Sequence, residues 1–302
     1  MKKYYSLLFA LLVVMAMALV VVSCNKETDY EEPEPDPKPE SEPQITFTTN
    51  KNIGETIRLA VALNDEVPEI IGVEIKDVQD WEPSPRMIIC ELTSKNVTIK
   101  GPIKRFWCDD CGVTSLDVSK HPNLRFLTCN SNLLTTIDVS KNVELIELEC
   151  AGNQLSDLDI SKNTKLQILT CSANSKLTTL DLSNNPDLRT LYCSNNKMEE
   201  LDVSKNTKLS HLGCYYNNLT SLDLTNNPKI ELLYLMQNKI KASEMSKIIN
   251  TLPDWTGKEA APWDNILDHG SLYILSSEST EGNEILDEDK KIAEAKNWVI
   301  YR

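Results

Sequence analysis

The sequence predicts a mostly β fold with some α: a repeat solenoid closed by an N-terminal β cap and a C-terminal mixed α/β cap. Three observations carry that prediction. A cysteine returns at Cys108, Cys129, Cys150, Cys171, Cys193 and Cys214, at spacings of 21, 21, 21, 22 and 21 residues. An asparagine returns in step with it, at Asn132, Asn153, Asn174, Asn196, Asn217 and Asn238. Around each cysteine, apolar residues two apart, such as Leu127 and Cys129, alternate with other types, which is the period of a strand with one buried face. Self-similarity at a fixed period of this length means stacked units, none of which can bury its apolar face alone. The chain divides into a leader (1–23), a stalk (24–43), an N-terminal cap (44–102), the solenoid (103–239) and a C-terminal cap (240–302).

In the leader, Lys2 and Lys3 precede an apolar run from Leu7 to Val22 that ends in Val21-Val22-Ser23-Cys24. Basic, apolar and small residues in that order read as a secretory signal peptide. Its end resembles a bacterial lipobox, which implies cleavage before Cys24 and acylation of that cysteine, with more than one acyl chain and hence stable anchoring. An uncleaved membrane anchor is the alternative, and the sixteen apolar residues are short for a span of about 20. The stalk, NKETDYEEPEPDPKPESEP, holds five prolines, eight acidic residues and two lysines. Low hydrophobicity and like-charge repulsion keep it unfolded, and polyproline geometry gives it a reach approaching about 60 Å. Acidic residues close behind the anchored cysteine resemble the export signals of some Gram-negative surface lipoproteins; a plain periplasmic spacer is the alternative.

Short alternating runs at Ile45 and Thr56, with turn residues between them, read as strands of an antiparallel β cap that passes through Val97-Thr98-Ile99 into the first coil. A solenoid exposes an apolar cross-section at each end, so caps are required. Cys90 precedes the junction, either buried and free or bonded to a cysteine of the first coil.

In the solenoid, Leu124, Leu127, Cys129, Asn132 and Leu134 fit the pattern L-x-x-L-x-L-x-x-N-x-L. The complete repeats, Val113 to Lys239, thereby resemble leucine-rich-repeat proteins. Leu127 and Cys129 point into the coil, while Phe126, Thr128 and Asn130 point out. A half-repeat from Ile103 through Phe106 and Cys108 keeps the register and places Cys111 in the asparagine slot. The asparagine amides are expected to bond turn backbone groups that would otherwise be buried without partners. Seven strands about 4.8 Å apart span on the order of 30 Å, with one extra residue near Ser175 and Lys176 bulging between strands. The other half of each repeat, as in Ile137 to Asn142, reads as a shorter strand or extended turn. It exposes Asp117, Asp138, Asp159, Asp181, Asp202 and Asp223, most with a lysine three residues on. Stacked carboxylates could invite calcium, but one carboxylate per coil beside a lysine is a poor cage; a solvated face and no metal site is the expectation.

The repeat breaks at Ser243. The run SEMSKIIN places Met245, Ile248 and Ile249 on one helical face; Leu272–Leu275 reads as a strand, Asn283–Lys296 as a helix with Ile285, Ile292 and Ala295 inward, and Trp298–Tyr301 as a final strand. Thr256 to Gly270 reads as an ordered loop with Trp263 packed down.

No constellation for catalysis stands out. Trp107-Cys108-Asp109-Asp110-Cys111 looks like the W-C-x-x-C of thioredoxin-like enzymes, but it lies in register with the coil ladder and lacks a βαβ setting. His121, His211 and His269 have no metal-ligand spacing, and there is no G-x-S-x-G or phosphate-binding glycine loop. No catalytic residue and no cofactor is expected. Loss of Lys2 and Lys3 with the leader takes the formal charge from −14 to −16, which argues against nucleic acid as a partner. What remains is a surface. The outward strand positions carry Trp107, Phe126, Tyr192, His211, Tyr215, Tyr216, Tyr234 and Met236, around a polar middle of Glu147, Glu149, Thr170, Ser172 and Thr190. Aromatics on a rigid strand face supply contact area at low entropy cost. The expected ligand-binding residues are Tyr192, His211, Tyr215, Tyr216, Tyr234 and Met236. The chain then resembles lipid-anchored and secreted bacterial leucine-rich-repeat proteins, which implies a surface-displayed outer-membrane lipoprotein, held to the membrane through Cys24 and engaging a protein or glycan ligand. A structural or accessory subunit of a periplasmic envelope complex is the alternative.

Overall fold

Nine of the sixteen strands that follow owe their place to one simple rule, that a short strand buried on one side pairs parallel with the next copy of itself. A computed structural model describes residues 42–62, 68–79, 86–257, 270–274 and 282–301. The leader, Cys24, nearly all of the stalk and Trp263 lie outside the described residues. Among the described residues, all but Gly257 belong to one unit.

Before the repeats come β1 (Gln44–Thr49), β2 (Thr56–Ala62), β3 (Glu69–Ile71), β4 (Val73–Gln79), β5 (Arg86–Leu92) and β6 (Asn96–Lys100). The repeats supply β7 (Arg105–Trp107), β8 (Val113–Asp117), β9 (Phe126–Thr128), β10 (Glu147–Glu149), β11 (Ile168–Thr170), β12 (Thr190–Tyr192), β13 (His211–Gly213) and β14 (Leu232–Tyr234). Then follow α1 (Ala242–Thr251), β15 (Gly270–Tyr273), α2 (Asp287–Ala295) and β16 (Trp298–Tyr301). Strands β7 and β9 to β16 pair parallel and in register, so equivalent side chains stack in columns. The inward column runs Phe106, Leu127, Leu148, Leu169, Leu191, Leu212, Leu233 and Leu272, all fully buried. Beside it run the six repeat cysteines, continued by Leu235 and Ile274, also fully buried.

The N-terminal cap closes the solenoid on two sides. Strand β2 pairs antiparallel with β7 and is followed outward by β5 and β4, extending the main sheet to twelve strands. Strand β1 pairs antiparallel with β8, in a second sheet of order β3-β6-β1-β8. Ile45, Phe47, Leu59, Ile88 and Ile99 fill the space between these layers and are buried. Antiparallel strands suit an end, because a hairpin reverses direction at once whereas another parallel strand needs a whole coil.

The asparagine ladder forms as expected. Asn132 Nδ2 donates to the carbonyls of Cys108 and Cys129 at 2.9 and 3.0 Å, and its Oδ1 accepts from Val113 N at 2.9 Å. Asn153, Asn217 and Asn238 repeat the arrangement. The extra residue of the 22-residue repeat is absorbed in the turn after β11: Asn196 Oδ1 accepts there from Asn174 N at 2.8 Å, two slots earlier in the turn than the Leu155 N that Asn174 Oδ1 binds. Cys111, in the asparagine slot of the half-repeat, is buried with its Sγ 3.3 Å from the carbonyl oxygens of Arg58 and Asp109.

A second amide ladder occupies the opposite corner of the coil, unpredicted by the sequence reading. Asn142, Asn163, Asn185, Asn206 and Asn227 are fully buried, each donating Nδ2 to two carbonyls of the preceding coil. Between the corners the first coil forms β8 against β1, and beyond it the chain is mostly turn with Asp117 bridged to Asp138, so the strand reading of this half is realised in the first coil and the extended-turn reading in the others. The exposed aspartates cap these turns: Oδ1 of Asp117, Asp138, Asp159, Asp181, Asp202 and Asp223 each accepts the backbone N–H two residues on at 2.8–2.9 Å. Those hydrogen bonds hold the carboxyls below their ordinary range.

At the C-terminal end α1 buries Met245, Ile248 and Ile249, as its spacing predicts. The second helix differs from expectation. It begins at Asp287, because Asn283 is taken as another amide rung, donating to the carbonyls of Leu235 and Ile274 and accepting from Ile240 N. Ile285 and Ile292 pack partly buried against the core, but Ala293 is buried and Ala295 exposed, the later start having rotated the inward face.

Candidate ligand-binding face

The outward side of the parallel sheet is the candidate site, and register decides its chemistry. One outward column reads Trp107, Thr128, Glu149, Thr170, Tyr192, Gly213, Tyr234, Tyr273 and Tyr301. In-register strands lie about 4.8 Å apart, so identical flat side chains in one column must stack. Tyr234 and Tyr273 do so at a centroid separation of 4.4 Å and 22°, and Tyr273 and Tyr301 at 4.4 Å and 11°. Gly213 breaks the column where Tyr192 lies over it: a Cβ there would come within 2.6 Å of Tyr192 Cδ1. Tyr215, one residue past the cysteine column, meets Tyr234 edge-on at 6.3 Å and Tyr216 at 5.8 Å. Burial raises the Tyr192 hydroxyl to about 12 and pushes those of Tyr215, Tyr234 and Tyr273 up as well.

The sequence-predicted residues Tyr192, Tyr215, Tyr216 and Tyr234 therefore come together. Met236 stands in the same outward column as Tyr215. His211 lies on the edge of the row, where its Nδ1 is 3.1 Å from Ser210 Oγ and its Nε2 is 3.3 Å from Glu231 Oε1. Burial lowers His211 to about 4, so it is neutral at physiological pH despite that carboxylate. Tyr216 holds φ +53 in the turn that leads to Asn217, a slot also left-handed at Asp110, Ser131, Gly152, Ala173, Asn195 and Gln237. Tyr273 and Tyr301 were missed by sequence reasoning. Their strands were recognisable, but the longer connections before β15 and β16 hide the register that joins them to Tyr234.

The other end of the face is acidic. Asn130 N donates to Asp109 Oδ1 at 2.7 Å, and Asn130 Nδ2 donates to Glu149 Oε2 at 2.8 Å and Asp109 Oδ2 at 3.4 Å. Burial raises both Asp109 and Glu149 to about 7 and pushes Glu147 up too. The guanidinium of Arg105 lies 4.0 Å from the Phe126 ring centroid. Cys108 and Cys111, the W-C-x-x-C pair, are buried free thiols; burial drives Cys108 well up and Cys111 to about 12, the reverse of an activated redox thiol. Cys90 is likewise buried and free. No helix among the described residues is long and apolar enough to cross a membrane.

Neither the protein-family models nor the curated proteins give a match. Among solved structures, the chain is similar to the functional domain of InlJ from Listeria monocytogenes, which includes a cysteine ladder: 27% identity, TM-score 0.46, 61% of this chain and 52% of that one. The chain thus spans about half the length of that domain. It is also similar to the leucine-rich-repeat domain of APL1B (26% identity, TM-score 0.33, 41% of this chain, 44% of that one) and to an internalin, inlF, of Listeria monocytogenes (18%, 0.25, 66% and 82%). The parallel in-register strands, inward leucine and cysteine columns and asparagine rungs of the coils themselves settle the architecture: the chain folds as a leucine-rich-repeat β-solenoid.

Proposed function

We propose that this protein is a non-catalytic cell-envelope binding module, displayed at the bacterial surface as a lipoprotein acylated at Cys24, which engages its ligand through the outward face of the parallel sheet. The observation that carries the reading is the row Tyr192, Tyr234, Tyr273 and Tyr301 on in-register strands, with Tyr215 just past β13 filling the gap at Gly213. Rings fixed by a sheet lose little freedom on contact, so most of their buried area contributes to affinity. Tyr216, His211 and Met236 border the row. The leader and the Pro-rich stalk support anchoring and reach. A periplasmic accessory subunit using the same face is the second reading, supported by the same aromatic surface and separated from the first by location.

Protease shaving of intact cells, with mass-spectrometric detection of peptides from residues 25–302 and a periplasmic protein as leakage control, decides location. Release is expected, and protection until lysis would move the protein to the periplasm. For the face, a photo-crosslinking residue is placed at Tyr234 or, on the opposite side, at Asp181. Crosslinks to another macromolecule are expected from position 234 alone; crosslinks from 181 alone would refute the assignment. Tyr215→Ala with Tyr216→Ala should abolish the 234 crosslink.

A further inference from the structure

The two ends of the ladder face differ in a way that selects among ligands. A sugar ring stacks on an aromatic by covering its face. Tyr273 has one face against Tyr234 and the other against Tyr301, each at 4.4 Å, while Tyr234 carries Tyr273 on one side and the edge contact of Tyr215 on the other. These rings offer outward only their edges and hydroxyls, spaced by the strands beneath them. That comb suits a chain with regularly spaced donors, acceptors and small apolar groups, which is a polypeptide backbone.

Charge narrows the partner further. Among the outward positions of the coils, the carboxylates Glu147 and Glu149, with Asp109 just past β7, share a single guanidinium, Arg105, which is already laid on Phe126; Arg58 of β2 stands exposed at the cap edge beyond them. The adjoining strand positions Thr128, Thr170 and Thr190 are uncharged, and His211 is held neutral. Half-buried carboxylates are under-solvated, so a cation arriving from a partner meets groups that have already lost much of their water. The protein's formal charge of −14 adds long-range attraction of the same sign.

Resting on the reading of this face as the binding surface, we infer that its ligand is a polypeptide segment bearing basic side chains, which sets them against Asp109, Glu147 and Glu149 and lays its backbone along the tyrosine edges. The probe is a fluorescein-labelled peptide of alternating lysine and threonine, titrated into the full chain in detergent at low salt, beside its glutamate-for-lysine counterpart and a neutral oligosaccharide. Saturable binding of the lysine peptide alone is expected. Glu147→Gln with Glu149→Gln should weaken it about tenfold, as for loss of close charge pairs, and Tyr234→Ala with Tyr273→Ala should weaken it too. Glu199→Gln with Glu200→Gln removes the same charge from exposed positions bordering the groove of the opposite face and should leave it unchanged. Equal losses from both glutamate pairs, absence of saturable binding, or binding of the oligosaccharide in place of the peptide would each overturn the inference. Crosslinking from position 234 would still stand in those cases, so the broader binding role is judged separately.

Discussion

Glu149 is a carboxylate that the sheet holds where water is scarce. Burial raises it to about 7 from an ordinary value of 4.5, so the folded form binds its proton more tightly than the unfolded form. Stability contributed by that proton is therefore full below about pH 4.5 and is lost as the pH rises towards 7. Glu149→Gln keeps an acceptor for Asn130 Nδ2 and removes the charge. The variant is expected to be more stable than the parent by about 2 kcal/mol at pH 8, converting the shift at about 1.4 kcal/mol per unit and discounting for partial exposure, with no difference at pH 4. Chemical denaturation at the two pH values measures this, and a less stable variant at pH 8 would contradict it. Tyr216 presents the opposite situation, a side chain that costs backbone energy. Its φ of +53 lies in the region that penalises a Cβ by roughly 1–2 kcal/mol. Tyr216→Gly should raise the unfolding free energy by about 0.5–1 kcal/mol once glycine's extra chain entropy is subtracted. A gain in stability accompanied by loss of the crosslink from position 234 would show that the tyrosine is kept for contact.

Among the elements, the pairing of β12 with β13 is the most constrained part of the face. Gly213→Ala puts a methyl group into the ring of Tyr192 and should destabilise the fold by about 1–3 kcal/mol, the usual cost of overpacking. Tyr192→Ala in the same chain should return most of that loss, which a double-mutant cycle reads directly. The two amide corners should differ as well. Asn153→Ala leaves Leu134 N without its amide acceptor and takes one of the two amide donors from each of the carbonyls of Cys129 and Cys150, whereas Oδ1 of Asn163 accepts no hydrogen bond among the described residues. The Asn153 variant should lose more stability, on the order of 2–4 kcal/mol from several buried groups losing a partner. The first corner was legible in the sequence because five of its six asparagines follow a cysteine by three residues in a strand pattern, and Asn238 follows Leu235 at the same spacing. The second recurs as regularly, yet each of its asparagines sits in a polar run such as Asp138-Val139-Ser140-Lys141-Asn142 that reads as solvent-facing. Only three dimensions separate Asn142, fully buried, from its exposed neighbour Lys141. The acidic pair around Asn130 was similarly hidden, because Asp109 and Glu149 are two coils apart and converge only through the residue between them.

Along the solenoid every coil is the template for the next, and the C-terminal strands β15 and β16 continue the same parallel pairing while the N-terminal cap joins it antiparallel. Coil number, strand register and the helix of the C-terminal cap could be read from the sequence because the repeats announce them; the continuation of the tyrosine column into β15 and β16 could not, since it depends on where longer connections return the chain. The eight described cysteines are all buried and free. None should react with Ellman's reagent in the native protein, and all eight should titrate together once denaturant unfolds the stack; early reaction of Cys108 and Cys111 would mean that the first coil opens alone. The cysteine column also sets a race. An unfinished stack holds several thiols on one tether, and once exposed to an oxidant they are free to couple in wrong pairs. Each coil that closes withdraws its sulfur from the contest. Where such a chain matures outside a reducing compartment, its yield is then fixed by how fast strands stack relative to how fast thiols oxidise, and slowing the stacking, without changing the final fold, would fill the population with cross-linked chains that never reach it.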